Sequence, residues 1–224
     1  MKSFFRWRIL FLPVLLFFSI GCATNRGVVS LKQSVTTVPV QSSGKKVFIK
    51  SVTDQREFQE NPATQDIPSL GFGGATAATA EIKKRAIARK RNAWGKAMGD
   101  ILLENGQTVE SVISDSLKRS FGELGYVVLS NEQEVTSDTL VMDASIQKFW
   151  AYMTPGFWAI SLSCDISTTL RITVPKSNTG ETETITVKST KNFQTASEGN
   201  WMEVFHLAME KYVEQVKTRF SRRE

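Results

Sequence analysis

Two hydrophobic periods alternate along this chain. Leu140, Met142, Ala144, Ile146, Lys148 and Trp150 interleave with Val141, Asp143, Ser145, Gln147 and Phe149. Ile160, Leu162, Cys164, Ile166, Thr168, Leu170, Ile172 and Val174 then interleave with Ser161, Ser163, Asp165, Ser167, Thr169, Arg171 and Thr173. A period of two sends successive side chains to opposite faces of a strand. With one face apolar and the other polar, it predicts an antiparallel sheet wetted on one side. Residues 46–52 read as the first core strand, with Val47, Ile49 and Ser51 on one face and Phe48, Lys50 and Val52 on the other. Asp54-Gln55-Arg56 ends it. Residues 126–129 form a further short strand. Residues 182–193 return as the last one, after the turn signal Asn178-Thr179-Gly180.

Two stretches repeat with a helical period instead. Val109, Val112, Ile113, Leu117, Phe121 and Leu124 make one stripe, with Thr108 as N-cap, Glu110 near the positive end and Gly125 at the C-terminal cap. Trp201, Phe205, Ala208, Met209, Tyr212, Val213, Val216 and Phe220 make the other. There Asn200 and Glu203 have the spacing of a capping box. The order is strand, long insertion, helix, one short strand and three long ones, helix. It predicts an α+β fold: an antiparallel sheet of about four or five strands with two helices packed on one face.

The insertion has less pattern. Residues 57–76 hold two prolines and the cluster Gly71-Phe72-Gly73-Gly74, a long loop. Residues 75–90 favour a helix by propensity, with Ile82, Ala86 and Ile87 as a thin stripe. Residues 89–94 read equally as a strand. Gly95 and Gly99 argue for irregular backbone before the apolar run Ile101-Leu102-Leu103.

The N-terminus changes the picture. Lys2, Arg6 and Arg8 precede an apolar run over residues 9–18, and Ser19-Ile20-Gly21-Cys22 follow. That order is a secretory signal. The run is short of the roughly 20 apolar residues that span a bilayer. Gly21 before Cys22 resembles a lipobox, although Ser19 stands where Leu is usual, and implies cleavage and acylation of Cys22. The other reading is an ordinary signal cut nearby, with Cys22 a bystander thiol. Ala23, not Asp, follows, which in enteric-type lipoproteins implies the outer membrane. The expected organisation is a signal peptide over 1–21, a lipidated N-terminus and flexible tether over 22–45, rich in Thr, Ser, Val and Gln, and one periplasmic domain over 46–224.

Cysteine count and charge follow from that reading. The chain has 2 cysteines. With Cys22 acylated, Cys164 has no disulfide partner and the core alone must hold the fold. The formal charge is +6, but removing Lys2, Arg6 and Arg8 leaves 25 basic against 22 acidic residues. Neither balance nor compartment suits nucleic acid.

Val52-Thr53-Asp54-Gln55-Arg56 closing an early strand, Gly106-Gln107-Thr108-Val109 opening a helix and Phe121-Gly122-Glu123-Leu124-Gly125-Tyr126 closing it resemble the YajG family of bacterial lipoproteins. Residues 88–95 are similar to the basic segment of its long-loop relatives. The resemblance spans most of residues 46–220. It implies a periplasm-facing outer-membrane lipoprotein and brings no catalytic residues.

Little else points to catalysis. His206 is the single histidine, beside the apolar stripe of the last helix. No set of His, Cys, Asp and Glu has metal-ligand spacing, and Gly71 to Gly74 lack the Gly-Lys-Ser/Thr ending of a phosphate loop. The expectation is a non-enzymatic envelope binding or assembly module without cofactor or metal. The alternative is an auxiliary lipoprotein of a lipid or lipopolysaccharide transport system. A hydrolase would have to use an acid such as Asp143 or Asp165.

Two features are candidates for contact with a membrane, an anionic lipid or an envelope protein. The first is the basic set Lys83, Lys84, Arg85, Arg89, Lys90, Arg91 and Lys96 with Trp94 among them. It is either a solvated face or an anion-contacting one. The second is the aromatic turn carrying Trp150, Tyr152, Phe157 and Trp158, in which Pro155-Gly156 predicts a type II turn with positive φ at the glycine. It either caps the core or stands exposed as a docking tip.

Overall fold

The computed structural model describes residues 26–32, 42–91, 97–177 and 180–221. The signal peptide, Cys22 and Trp94 lie outside the described residues, as does Lys96. The elements run β1 (Gly27–Val29), β2 (Lys46–Asp54), α1 (Gly74–Ala77), α2 (Ala80–Arg85), β3 (Ala86–Arg91), β4 (Ala97–Leu103), α3 (Val109–Glu123), β5 (Val127–Leu129), β6 (Leu140–Pro155), β7 (Ile160–Thr173), β8 (Gly180–Phe193) and α4 (Glu198–Ser221).

The α+β class holds, but the sheet is larger than expected and mixed. Its 8 strands run β1-β4-β3-β6-β2-β5, with β7 on β6 and β8 on β7. β6, β7 and β8 form the expected antiparallel meander. The correction concerns the other edge of β6. Its first half, from Leu140 to Ile146, pairs in parallel with β2, and Ala151 pairs in parallel with Ala88 of β3. Alternation reveals a strand and its wet face. It carries no information about which distant segment joins an edge, or in which direction.

Both long helices pack on one face. Val109, Val112, Ile113, Leu117 and Phe121 of α3 share a core with Trp201, Phe205, Ala208, Tyr212, Val216 and Phe220 of α4 and with the apolar faces of β6 and β7. Phe149 stacks on Phe205 at 5.9 Å, and Phe121 meets Phe220 edge-on at 4.9 Å. Thr108 caps α3 as predicted, but in a reciprocal box with Ser111, and Gly125 at φ 80° ends it. Asn200 is not a cap. α4 begins earlier, Ser197 Oγ accepts from the Asn200 N–H, and Glu203 pairs with Lys191.

The opposite face is only partly wet. Residues 55–79 fold back over it and bury a second cluster of Leu70, Ala86, Leu102, Trp150 and Tyr152, with Phe58, Ala78 and Ile82 against it. Over residues 75–91 the ambiguity resolves as two short helices followed by β3; residues 92–94 lie outside the described residues. In β1, Gly27–Val29, expected within the tether, pair instead in parallel with Ile101 to Leu103 of β4.

Candidate functional site: the aromatic hairpin end and the segment beneath it

The β6–β7 hairpin divides the aromatic candidates into two pairs. Alternation places Trp150 and Tyr152 on the face covered by residues 55–79, and both are buried. The Trp150 indole N–H donates to the Gln65 carbonyl at 3.3 Å, and its ring meets Phe58 edge-on at 5.9 Å. Lys188 lies 5.4 Å from the Tyr152 ring centre. These two residues therefore hold the covering segment down, and the expectation that they face a partner is corrected. Phe157 and Trp158 are the opposite case, 89% and 84% exposed. They sit in the four-residue connection between Pro155 and Ile160, packed edge-on against each other at 4.7 Å. Gly156 does not take the positive φ of a type II turn. It is required for another reason: a Cβ there would lie 2.5 Å from the Ala159 carbonyl oxygen.

The basic segment is a strand whose side chains part to two faces. Arg91 Nη2 donates to Ser69 Oγ at 3.3 Å, toward the covering segment, and the Arg89 Nε is buried on the same side. Burial, reinforced by the neighbouring Arg89 charge, pulls the Arg91 pKa below that of an ordinary arginine. Lys90 points the other way, to Glu198 at the start of α4, 3.9 Å away. Gly27 passes beside that pair, where a Cβ would come within 2.9 Å of both charged ends. Arg85 is buried and donates twice to the Leu103 carbonyl, at 2.7 and 2.9 Å. Arg89, Lys90 and Arg91 are thus half-buried on an inner strand, while Lys84 on α2 is exposed.

Sequence reasoning missed the interactions that fasten the covering segment. Where β2 ends, Gln55 N–H still bonds the Ile146 carbonyl. Beyond it, the edge of β6 is bare until β3 arrives at Ala151. Arg56 fills that gap. Its guanidinium grips both Asp54 carboxylate oxygens at 2.8 Å and donates to the carbonyls of Ala86 at 2.7 Å, Phe149 at 3.0 Å and Lys83 at 2.8 Å. All five donors of a guanidinium are used. The motif ending in Asp54-Gln55-Arg56 was visible in the sequence; the partners of Arg56 outside that motif are main-chain carbonyls, which no side-chain pattern announces.

Two more contacts complete the cover. Lys148 bridges Asp66 at 2.8 Å and Asp165 at 3.1 Å. The hydrogen bond from Lys148, with a second from Thr64, holds the Asp66 carboxyl below its usual range. Burial disfavours the Lys148 charge, but the bonds to Asp66 and Asp165 outweigh it and raise its pKa. Asp100, fully buried, accepts from the Gly71 N–H at 2.9 Å and pairs with Arg26 at 3.5 Å. Arg26 in turn lies 4.6 Å over the ring of Phe72, which is 53% exposed with φ 55°. That left-handed backbone costs a phenylalanine on the order of 1 kcal/mol.

The remaining residues considered for chemistry are dispersed. Cys164 is buried in the core, and burial pushes its thiol pKa well up. His206 is exposed on α4. Asp143 accepts from Ser51 Oγ at 2.5 Å at the far end of β6. Among the described residues no group of three His, Cys, Asp or Glu side chains is placed to hold a metal, and no helix is long and apolar enough to cross a membrane.

No protein-family model and no curated protein matches this sequence. Among solved structures the chain is similar to a Xanthomonas campestris protein of the family DUF330, with a TM-score of 0.50 at 10% identity over 86% of this chain and 92% of that one. A minor lipoprotein of Acinetobacter baumannii aligns with a TM-score of 0.37 at 13% identity, over 52% of this chain and 87% of that one. The first of these similarities establishes a shared fold.

Proposed function

We propose that the protein is a YajG-like, lipid-anchored envelope lipoprotein whose domain is a non-enzymatic binding and assembly module. Cys22 is its acylation site. Ala23 favours the outer membrane, with the domain in the periplasm. One observation carries the binding role: Phe157 and Trp158 stand almost fully in solvent at the end of a long hairpin. Large aromatic side chains this exposed mark contact surfaces, because their burial on a partner returns a large area at little conformational cost.

A photoreactive amino acid in place of Trp158 tests this in living cells. A discrete protein or lipid adduct supports the module; no adduct above that of a site on α4 such as His206 overturns it. The anchor has its own test. Cys22→Ser should move the protein from the membrane to the soluble fraction, and continued membrane retention would count against acylation.

The second reading, an auxiliary lipoprotein of a lipid or lipopolysaccharide transport system, draws on the same tip, which caps the end of the sheet at which β3 finishes with Lys90 and Arg91. It demands more: lipid must remain bound in stoichiometric amount when the Cys22→Ser protein is purified. Lipid-free protein would leave the binding-module reading in place and remove the transport reading.

A further inference from the structure

We infer that the hairpin tip docks on the lipid surface of the membrane that holds the protein's own acylated cysteine, so that anchor and tip make a two-point contact fixing the domain's orientation. This rests on the lipid-anchor reading above and names the ligand of its binding element.

The argument is topological. Ala151 of β6 pairs with Ala88 of β3, Ala88 with Ile101 of β4, and Ile101 with Gly27 of β1. These four residues lie on one level across the sheet. β6 and β3 run parallel, β4 runs against them, and β1 runs with β4. Followed from β1 toward Cys22, the chain therefore leaves the sheet in the direction in which β6 climbs to Phe157 and Trp158. The chain that leads to the anchor and the chain that leads to the aromatic tip leave the sheet at the same end.

Lengths sharpen the point. Four residues separate Ala151 from Pro155. That is a climb of roughly 13 Å at strand rise. Five residues separate Gly27 from Cys22. Even fully extended they reach no more than roughly 17 Å. A cysteine whose acyl chains enter the bilayer must itself lie at the headgroup level. Phe157 and Trp158 stand two to three residues beyond Pro155, so that level lies within a few ångströms of the tip's own height, and the exposed rings meet the bilayer surface unless the whole domain tips away. Three strand spacings, about 14 Å, separate β1 from β6 sideways. Two attachment points that far apart resist such tipping.

The chemistry of this end suits a headgroup layer. Phe72, Phe157 and Trp158 are the exposed large aromatics among the described residues, and all three lie here, Phe72 beneath Arg26. Aromatic rings favour the membrane interface. Lys90 and Arg91, half-buried at the end of β3, add positive charge at this end of the sheet, which favours an anionic surface.

The test uses the acylated, signal-cleaved protein reconstituted in vesicles of phosphatidylethanolamine and phosphatidylglycerol, with a fraction of the lipids brominated near the headgroup. Flotation reports anchoring. The emission difference between wild type and Trp158→Phe isolates Trp158 from the other tryptophans. Docking predicts that the protein floats and that brominated lipid removes most of the Trp158 emission. A protein that floats with its Trp158 emission unchanged overturns docking and leaves the anchor standing; a protein adduct from the photo-crosslinking experiment would then name the tip's true occupant. A protein that fails to float overturns the anchor and the docking together.

Discussion

Replacing Arg56 by Met should be the most damaging single change on the covered face of the sheet. The side chain of Arg56 is fully buried and that of its partner Asp54 is 10% exposed. Methionine fills a similar volume but leaves the Asp54 charge facing no cation. It also strips hydrogen bonds from the carbonyls of Ala86, Phe149 and Lys83. Removing one partner of a buried ion pair costs about 3–5 kcal/mol, since the other charge stays desolvated. Each orphaned carbonyl would add about 1–3 kcal/mol if nothing replaced the lost donor. The segment above can lift and admit water, so the carbonyl losses do not add in full. A total of about 4 kcal/mol follows. For a domain of this size that lowers Tm by on the order of 10 °C.

The assay is urea or thermal unfolding followed by circular dichroism. Arg56→Lys separates charge from geometry. An ammonium keeps the charge but has three donors and no planar fork, so it should recover less than half of the loss. Pairing Arg56→Met with Asp54→Asn should recover more, because no charge is then stranded. A loss below about 1 kcal/mol for Arg56→Met, the range of an exposed ion pair, would refute the view that this residue closes the gap between β2 and β3.

Three further outcomes test other parts of the structure. Tyr212→Phe leaves the buried Thr168 hydroxyl without its 2.8 Å partner and should cost about 1–2 kcal/mol, most of it restored by adding Thr168→Val; equal costs for single and double variants would deny the bond a role. Cys164 should resist thiol reagents in the folded protein and react fully in denaturant, because burial both covers the sulfur and raises its pKa. Asp66 has a lowered pKa, so its contribution is present above the ordinary value of 3.8 and is lost as pH falls through the folded value; Lys148 has a raised one, so its contribution is complete below 10.5 and is lost as pH rises through the folded value. Lys148→Met should accordingly weaken both dependences in unfolding experiments, and an unchanged acid limb would show that Asp66 draws little from this pair.

What the sequence disclosed was local. The strands β6, β7 and β8 and the helices α3 and α4 each repeat a strong period over many residues, and the side chains that set the period are those that reach the core. The candidate site was legible only in half. Trp150, Tyr152, Phe157 and Trp158 around the β6–β7 turn were visible, but strand alternation alone could not tell that Trp150 and Tyr152 lie beneath residues 55–79, because that segment has no period of its own. Its fastening depends on Arg56 bonds to main-chain carbonyls, on Lys148 reaching two acids and on Asp100 receiving the Gly71 N–H. The same holds for the basic residues. Counted along the chain, Arg89, Lys90 and Arg91 form one charge run. On a strand they separate, Lys90 toward Glu198 and α4, Arg91 toward Ser69 and the cover.

The strand β1 has the largest consequence for function. Three residues are too few to show a period, and Gly27-Val28-Val29 sits within a stretch whose composition reads as tether. Its pairing with β4 is therefore a tertiary fact. Yet it converts a long spacer into a short one. With a free tether over 22–45, the domain would sample many heights and orientations above the membrane, and the position of an aromatic tip would say nothing about what it touches. With Gly27 held in the sheet, the distance from Cys22 to the fold is bounded by five residues. Inserting a flexible Gly-Ser segment of about twenty residues between Ala23 and Arg26 would lengthen the reach to several tens of ångströms. The domain, its tip and its strand pairing would be unchanged. If a short leash is what brings Trp158 to the headgroups, this insertion should lower the quenching of Trp158 by brominated lipid while flotation persists. Quenching that survives the longer leash would mean that the tip binds lipid by its own affinity rather than by being held there.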